Sequence, residues 1–222
     1  MIPFLKNRSI YILIFALCFL AEYLFPQQSK LSKSVNNISE FIASGEFLIL
    51  KEQVGGLSIV DSIYSQALKV NDNDHSEALL SLIFATVPYN EVPVQIPIIK
   101  SILNFPLIAA SDSIFKLKNA NLPGYIFFDS PMNNYGDKDK LAHFFGSAFL
   151  SYSSNYFDLG NAIGYLVEVF EESFKVQSSI DERDLITNKL GNLFGTVLKQ
   201  NKNILPSQII ILRTLSNFSY SL

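Results

Sequence analysis

The chain has 222 residues, with 17 Lys and Arg against 20 Asp and Glu and a formal net charge of −3. That balance leaves no basic surplus to neutralise phosphates and no Lys/Arg cluster, which excludes a nucleic-acid partner, while the length suffices for one or two small domains with a real core. At the N-terminus, Lys6 and Arg8 precede the apolar run SIYILIFALCFLAEYLF, and polar PQQSK follows. This order predicts a signal peptide or membrane anchor over residues 1–30. The run reaches only the short end of the spanning range and Glu22 interrupts it, which favours a signal peptide over a permanent helix. No A-x-A cleavage site follows, and Leu17 stands before Cys18 where lipoprotein processing needs a small residue. The positive flank predicts a cytoplasmic N-terminus and export of residues 31–222. Cys18 is the single cysteine, so the exported part has no disulfide and depends on packing.

Residues 31–87 read as a helical hairpin. GGLSIVDSIYSQALKV opens with two helix-breaking glycines, sets Ser58 and Asp61 in box-like capping spacing, and repeats Ile59, Ile63, Ala67 and Val70 at helical intervals. VNDND reads as a tight turn, with His75 in its exposed part, and Asp74 with Glu77 predicts a capping box for the second helix. Residues 88–136 read as a proline-containing linker followed by an apolar helix. Pro88, Pro93 and Pro97 bar a helix interior. Residues 99–119 have helical spacing, with Pro106 kinking or splitting it, and Tyr125, Phe127 and Phe128 serve either a membrane interface or the core.

Polar residues then recur on apolar helices. In GDKDKLAHFFGSAFLSY, Asp137 or Asp139 can cap the helix that begins near Lys138, and Asp139 and His143 share a face four residues apart. GNAIGYLVEVFEESF puts Gly160 and Gly164 on one face and Glu168 among Leu166, Val167, Val169 and Phe170, with Glu171 or Glu172 to share that face. SSIDERDLITNKLGNLFGTVLKQ opens on Ser179 and Glu182 in capping spacing, then runs Asp184, Asn188, Gly191 and Gly195 at intervals of four, three and four. The two later glycines are expected to touch the helix carrying Gly160 and Gly164.

The succession D-K-x-x-H, G-x-x-x-E and D-x-x-x-N-x-x-G-x-x-x-G resembles the VanZ-like group, and especially its compact relatives typified by the YfiM lipoprotein, a bacterial envelope family. The matching positions are Asp139, Lys140 and His143, then Gly164 and Glu168, then Asp184, Asn188, Gly191 and Gly195. The resemblance covers residues 137 to about 200. It implies a helical, membrane-associated domain over 137–222 in which these polar residues converge, and it supplies no reaction. VanZ-like proteins have several long spanning helices; here the segments are shorter and dotted with Ser, Asn and Glu, which favours the periplasmic, YfiM-like form.

The expected fold is therefore all-α: a signal or anchor helix, a helical hairpin, then a compact bundle of three to four helices. Charges on apolar faces must pair, bind an ion or change protonation. Asp139, Lys140, His143, Glu168, Asp184 and Asn188 are expected to form one polar cluster, with Lys140 pairing Glu168 or Asp184, and Asp137 left outside as a solvated cap or turn residue. The cluster is either a network that fixes helix register or a site in which one His and its carboxylates hold a divalent ion or act as acid and base. Ser147 and Ser151 lack the G-x-S-x-G setting of a nucleophile. Two functions follow. The first is a non-catalytic, exported envelope protein whose partners are the membrane, envelope components or another protein. The alternative is an envelope enzyme acting on a lipid or cell-wall intermediate, with or without a metal cofactor.

Overall fold

A computed structural model describes residues 29–95, 102–153 and 182–219. Its elements are α1 (Lys30–Ala43), α2 (Gly45–Val54), α3 (Ser58–Val70), α4 (His75–Thr86), β1 (Glu91–Gln95), β2 (Ile102–Pro106), α5 (Asp112–Asn121), α6 (Lys140–Ser153), α7 (Glu182–Gln200) and α8 (Pro206–Ser219). The protein is mostly helical. The apolar run at 9–25, Gly160, Gly164, Glu168, Glu171, Glu172 and Ser179 lie outside the described residues. Among the described residues, no helix is long and apolar enough to cross a membrane.

Local chemistry starts and stops these helices. Asp74 caps α4 as its sequence predicts, accepting from the backbone N–H of Ser76 and Glu77 at 2.9 and 3.1 Å. The turn before it takes Asp72 and Asn73 through left-handed backbone, at φ 54° and 62°, a conformation Asp and Asn tolerate better than other side chains. Asn71 is buried there, accepting from Ser34 Oγ at 2.8 Å and donating to the Ala67 carbonyl at 2.9 Å, which ties α1 to the α3–α4 turn.

Two expectations of local structure give way to longer-range bonds. Ser58 does not cap α3: Leu57 holds the cap position without a side-chain bond. Asp61 turns instead to α8, where it accepts from Ser207 N at 2.9 Å and Ser207 Oγ at 2.6 Å. A carboxylate at those orphan N–H groups opposes the α8 dipole, a better use of its charge than a second bond within α3. His75 is the first residue of α4 and half-buried, not an exposed turn residue, because Tyr64 OH shares a 2.8 Å hydrogen bond with its Nδ1 and the Tyr152 ring lies 6.0 Å away. Burial, and then the positive charge of Lys202, lower its pKa.

Among the described residues, the one departure from all-α architecture is a two-stranded antiparallel ribbon, β1 with β2, in the register Val92↔Phe105 and Val94↔Leu103. Residues 102–106 therefore do not continue a helix. Pro106 pushes Phe105 to extended geometry, Val92 packs inward, and Pro93 is tolerated because each strand of a pair has a free edge. The helix expected over this apolar stretch is the shorter α5.

The core gathers α1, α3, α4, α6, α7 and α8 around Tyr64. Its ring stacks on Phe145 at 6.5 Å between centroids and meets Phe194 edge-on at 5.5 Å, geometries that suit the aromatic quadrupole. Phe127 joins this core while Tyr125 and Phe128 remain about half exposed, so the core role holds for Phe127 alone.

Candidate functional site

The site rests on the seam between α6 and α7. Gly191 and Gly195 face α6, and a Cβ on either would collide with a backbone carbonyl oxygen there, that of Phe144 or Ala148 respectively. Glycine at i and i+4 thus sets the close approach. The contact expected with the helix carrying Gly160 and Gly164 falls outside the described residues; the described neighbour is α6. Once the backbones are this close, short side chains bridge them: Ser147 Oγ donates to Asn188 Oδ1 at 3.1 Å and Ser151 Oγ to the Asn192 carbonyl at 2.9 Å.

At the N-terminal end of both helices the same faces carry charge. Lys140 Nζ lies 2.7 Å from Asp184 Oδ1 and 3.0 Å from Asp139 Oδ2, and His143 Nε2 lies 3.5 Å from Asp184 Oδ1. Lys140 and His143 are buried, while the two aspartate side chains retain 17% and 18% exposure. Burial alone would lower the Lys140 pKa, but the hydrogen bonds and charges of Asp184 and Asp139 outweigh it and hold the ammonium protonated above its ordinary range. His143 shifts the other way. Desolvation is its largest influence, and it lowers the pKa despite Asp184 and Asp139, so the ring is neutral near pH 7. Tyr135 borders the cluster, and burial followed by the Asp139 charge raises its phenol pKa.

Five of the six residues singled out from sequence, Asp139, Lys140, His143, Asp184 and Asn188, therefore converge; Glu168 lies outside the described residues. Lys140 pairs with Asp184, one of the two carboxylates expected for it; the other, Glu168, lies outside the described residues. Asp139, His143 and Asp184 each present one potential metal-ligand atom, and the three atoms lie within 4.8 Å of one another. The donor set among the described residues fits a divalent ion poorly, because the Lys140 ammonium already pairs with both carboxylates and a second cation must displace it.

Asp137 departs from expectation. It is fully buried, not a solvated turn residue. Its Oδ2 accepts from Ile126 N at 3.2 Å, from Phe127 N at 3.3 Å and from Ser130 Oγ, while Oδ1 pairs with Arg183 Nη2. The loop at 126–130 has backbone donors with no helix or strand to satisfy them, and a carboxylate bonded to several donors at once is the strongest acceptor the chain can offer. Arg183 extends this second cluster: its Nε lies 3.7 Å from Asp129 Oδ2, which also pairs with Arg213, and the Arg213 guanidinium sits 4.5 Å above the Phe127 ring.

Sequence reasoning missed Arg183, Arg213 and Asp129. The available signal was the charged string DERD at 181–184, in which one residue following the inward stripe leaves its neighbour to face another element. The two clusters thus use adjacent residues of α7, Arg183 and Asp184, and the near neighbours Asp137 and Asp139. In comparisons with family models, curated proteins and solved structures, nothing matches this chain.

Proposed function

We propose that this chain is an exported, membrane-associated protein of the bacterial envelope, of the VanZ/YfiM type, with a structural or partner-binding role and no catalytic one. The observation that carries the non-catalytic part is the double ion pair of Lys140 with Asp139 and Asp184. Each carboxylate already has a cationic partner, so the cluster holds α6 and α7 in register and needs no substrate to balance its charge. The envelope part rests on the charge order of residues 1–30 and on the motif resemblance over 137–200.

The alternative, an envelope enzyme acting on a lipid or cell-wall intermediate, draws on one observation: neutral His143 beside Asp184 is the protonation state a general base requires. His143→Ala separates the two. A structural network predicts a lowered thermal midpoint with envelope phenotype lost only in proportion; an unchanged midpoint with the phenotype abolished favours the enzyme. Location is tested by a reporter active only outside the cytoplasm, fused after residue 60, together with carbonate washing of the membrane fraction. Reporter silence ends the export argument.

A further inference from the structure

Away from the α6–α7 seam, a cavity of about 550 Å³ opens between the end of α5 and the turn preceding α6. Lys51 and Lys138 stand in its wall with Ile59, Leu122, Tyr125 and Asn133, and among the described residues no carboxylate lines it. Lys51 is held in position because Nζ donates to the Asn121 carbonyl at 2.8 Å, satisfying the C-terminal end of α5. The two ammonium groups share the cavity without an anion of the protein's own, and burial followed by the Lys138 charge lowers the Lys51 pKa. A bound anion relieves both effects.

Exposed apolar side chains adjoin the lining of this cavity along the chain. Met132, the neighbour of Asn133, is 91% exposed, and Tyr125, whose hydroxyl donates to the Asn133 carbonyl at 3.2 Å, is 54% exposed. On α2, Leu48, three residues before Lys51 and so on a neighbouring part of the helix face, is exposed. We infer that the cavity between Lys51 and Lys138, with the apolar residues that adjoin its lining, is a docking face for an anionic phospholipid surface, the headgroup phosphate seated between the two ammonium groups. This inference rests on the membrane association proposed above and names its lipid chemistry.

Two features favour lipid over other occupants. Free phosphate gains nothing from exposed Met132, Tyr125 and Leu48, whereas an acyl boundary beside the headgroup covers them. Protein interfaces are depleted of lysine at their centres, but lysines ringed by tyrosine and aliphatic residues are the composition that binds anionic leaflets.

The chain contains no tryptophan, so Met132→Trp in the full chain supplies a single local fluorophore. The protein is reconstituted with phosphatidylcholine vesicles and with vesicles containing phosphatidylglycerol. The expected result is a blue-shifted indole quenched by brominated lipid only where phosphatidylglycerol is present. Lys138→Gln and Lys51→Gln should each raise the phosphatidylglycerol content needed for the half-maximal shift by about fivefold, the ratio that corresponds to ~1 kcal/mol per lysine. If Lys51→Gln unfolds through its bond to α5, Lys138→Gln, which makes no such bond, carries the test alone.

An indole that stays in water on both vesicle types overturns the inference, as does a shift equal on both and indifferent to the lysines. Inorganic phosphate that raises the thermal midpoint while the indole stays in water on vesicles also overturns it, in favour of a free-anion site; capture of a protein through this face in place of lipid does the same. Sedimentation separates the two levels of failure. A chain that sediments with vesicles but keeps its indole in water loses the docking face alone, whereas one that does not sediment loses the membrane-associated reading itself.

Discussion

Two ionic clusters stand side by side at the start of α6 and α7, and they are held by different kinds of bond. Asp137 is tied to the backbone: two N–H groups of the 126–127 segment and the Arg183 guanidinium depend on it. The Lys140 cluster, among the described residues, is made between side chains, with Asp139 and Asp184 each paired to one ammonium. The Asp137 carboxylate cannot leave without costing Ile126 N its acceptor, so the first cluster is a fixed brace. The second can lose one acid and keep an ion pair. Position within two residues of chain thus decides whether an aspartate is indispensable or exchangeable.

The sharpest way to break this contrast is Asp137→Ala. It should destabilise the protein by about 3–5 kcal/mol, the range for removing one partner of a buried ion pair, read as a lowered midpoint in denaturant with an unchanged slope. A loss below that of Asp139→Ala would reverse the assignment of brace and exchangeable cluster. Gly191→Leu forces α6 and α7 apart and so strains both clusters at once; a loss of about 2–3 kcal/mol is expected from overpacking against backbone, far outweighing the helix-propensity gain of about 1 kcal/mol. A stabilised variant would show that this face tolerates separation. Asp139→Ala leaves Lys140 with Asp184 and should remove only about 1–2 kcal/mol, measured by the same titration.

The smallest effect is a pH slope. His143 has a folded pKa below its unfolded value of about 6.5, so the unfolded chain takes up the proton first. Its contribution to stability is complete above about pH 6.5 and is lost as the pH falls below it. His75 has the same sign. Melting curves between neutral and mildly acid pH should show a shallower loss in His143→Gln than in the parent, and the double variant with His75→Gln should be shallower again; identical slopes in all three would place both imidazoles in water-like surroundings.

What the sequence revealed of this arrangement followed from periodicity. Asp184, Asn188, Gly191 and Gly195 lie on one stripe of α7, and Asp139 and His143 on one of α6, so their meeting needs only two helices to pack by their small and polar faces. Asp74 was legible for the same reason, since a cap satisfies donors two and three residues away. Asp137, Asp61 and Arg183 were not, because their partners lie 7 to 146 residues distant and no local pattern marks a loop in need of an acceptor. The β ribbon was hidden differently: an apolar run broken by proline suits a kinked helix and an edge strand equally, and the pairing of Val92 with Phe105 settles it.

The bond from Asp61 to Ser207 joins residues 146 positions apart and carries α8 with it. Ile209 and Ile210 reach the core only when that helix arrives. Closing so long a loop is entropically late in any folding order, which means that α3 remains uncovered on one side until residue 207 has been synthesised. The fold completes only after the sequence that seals it has emerged.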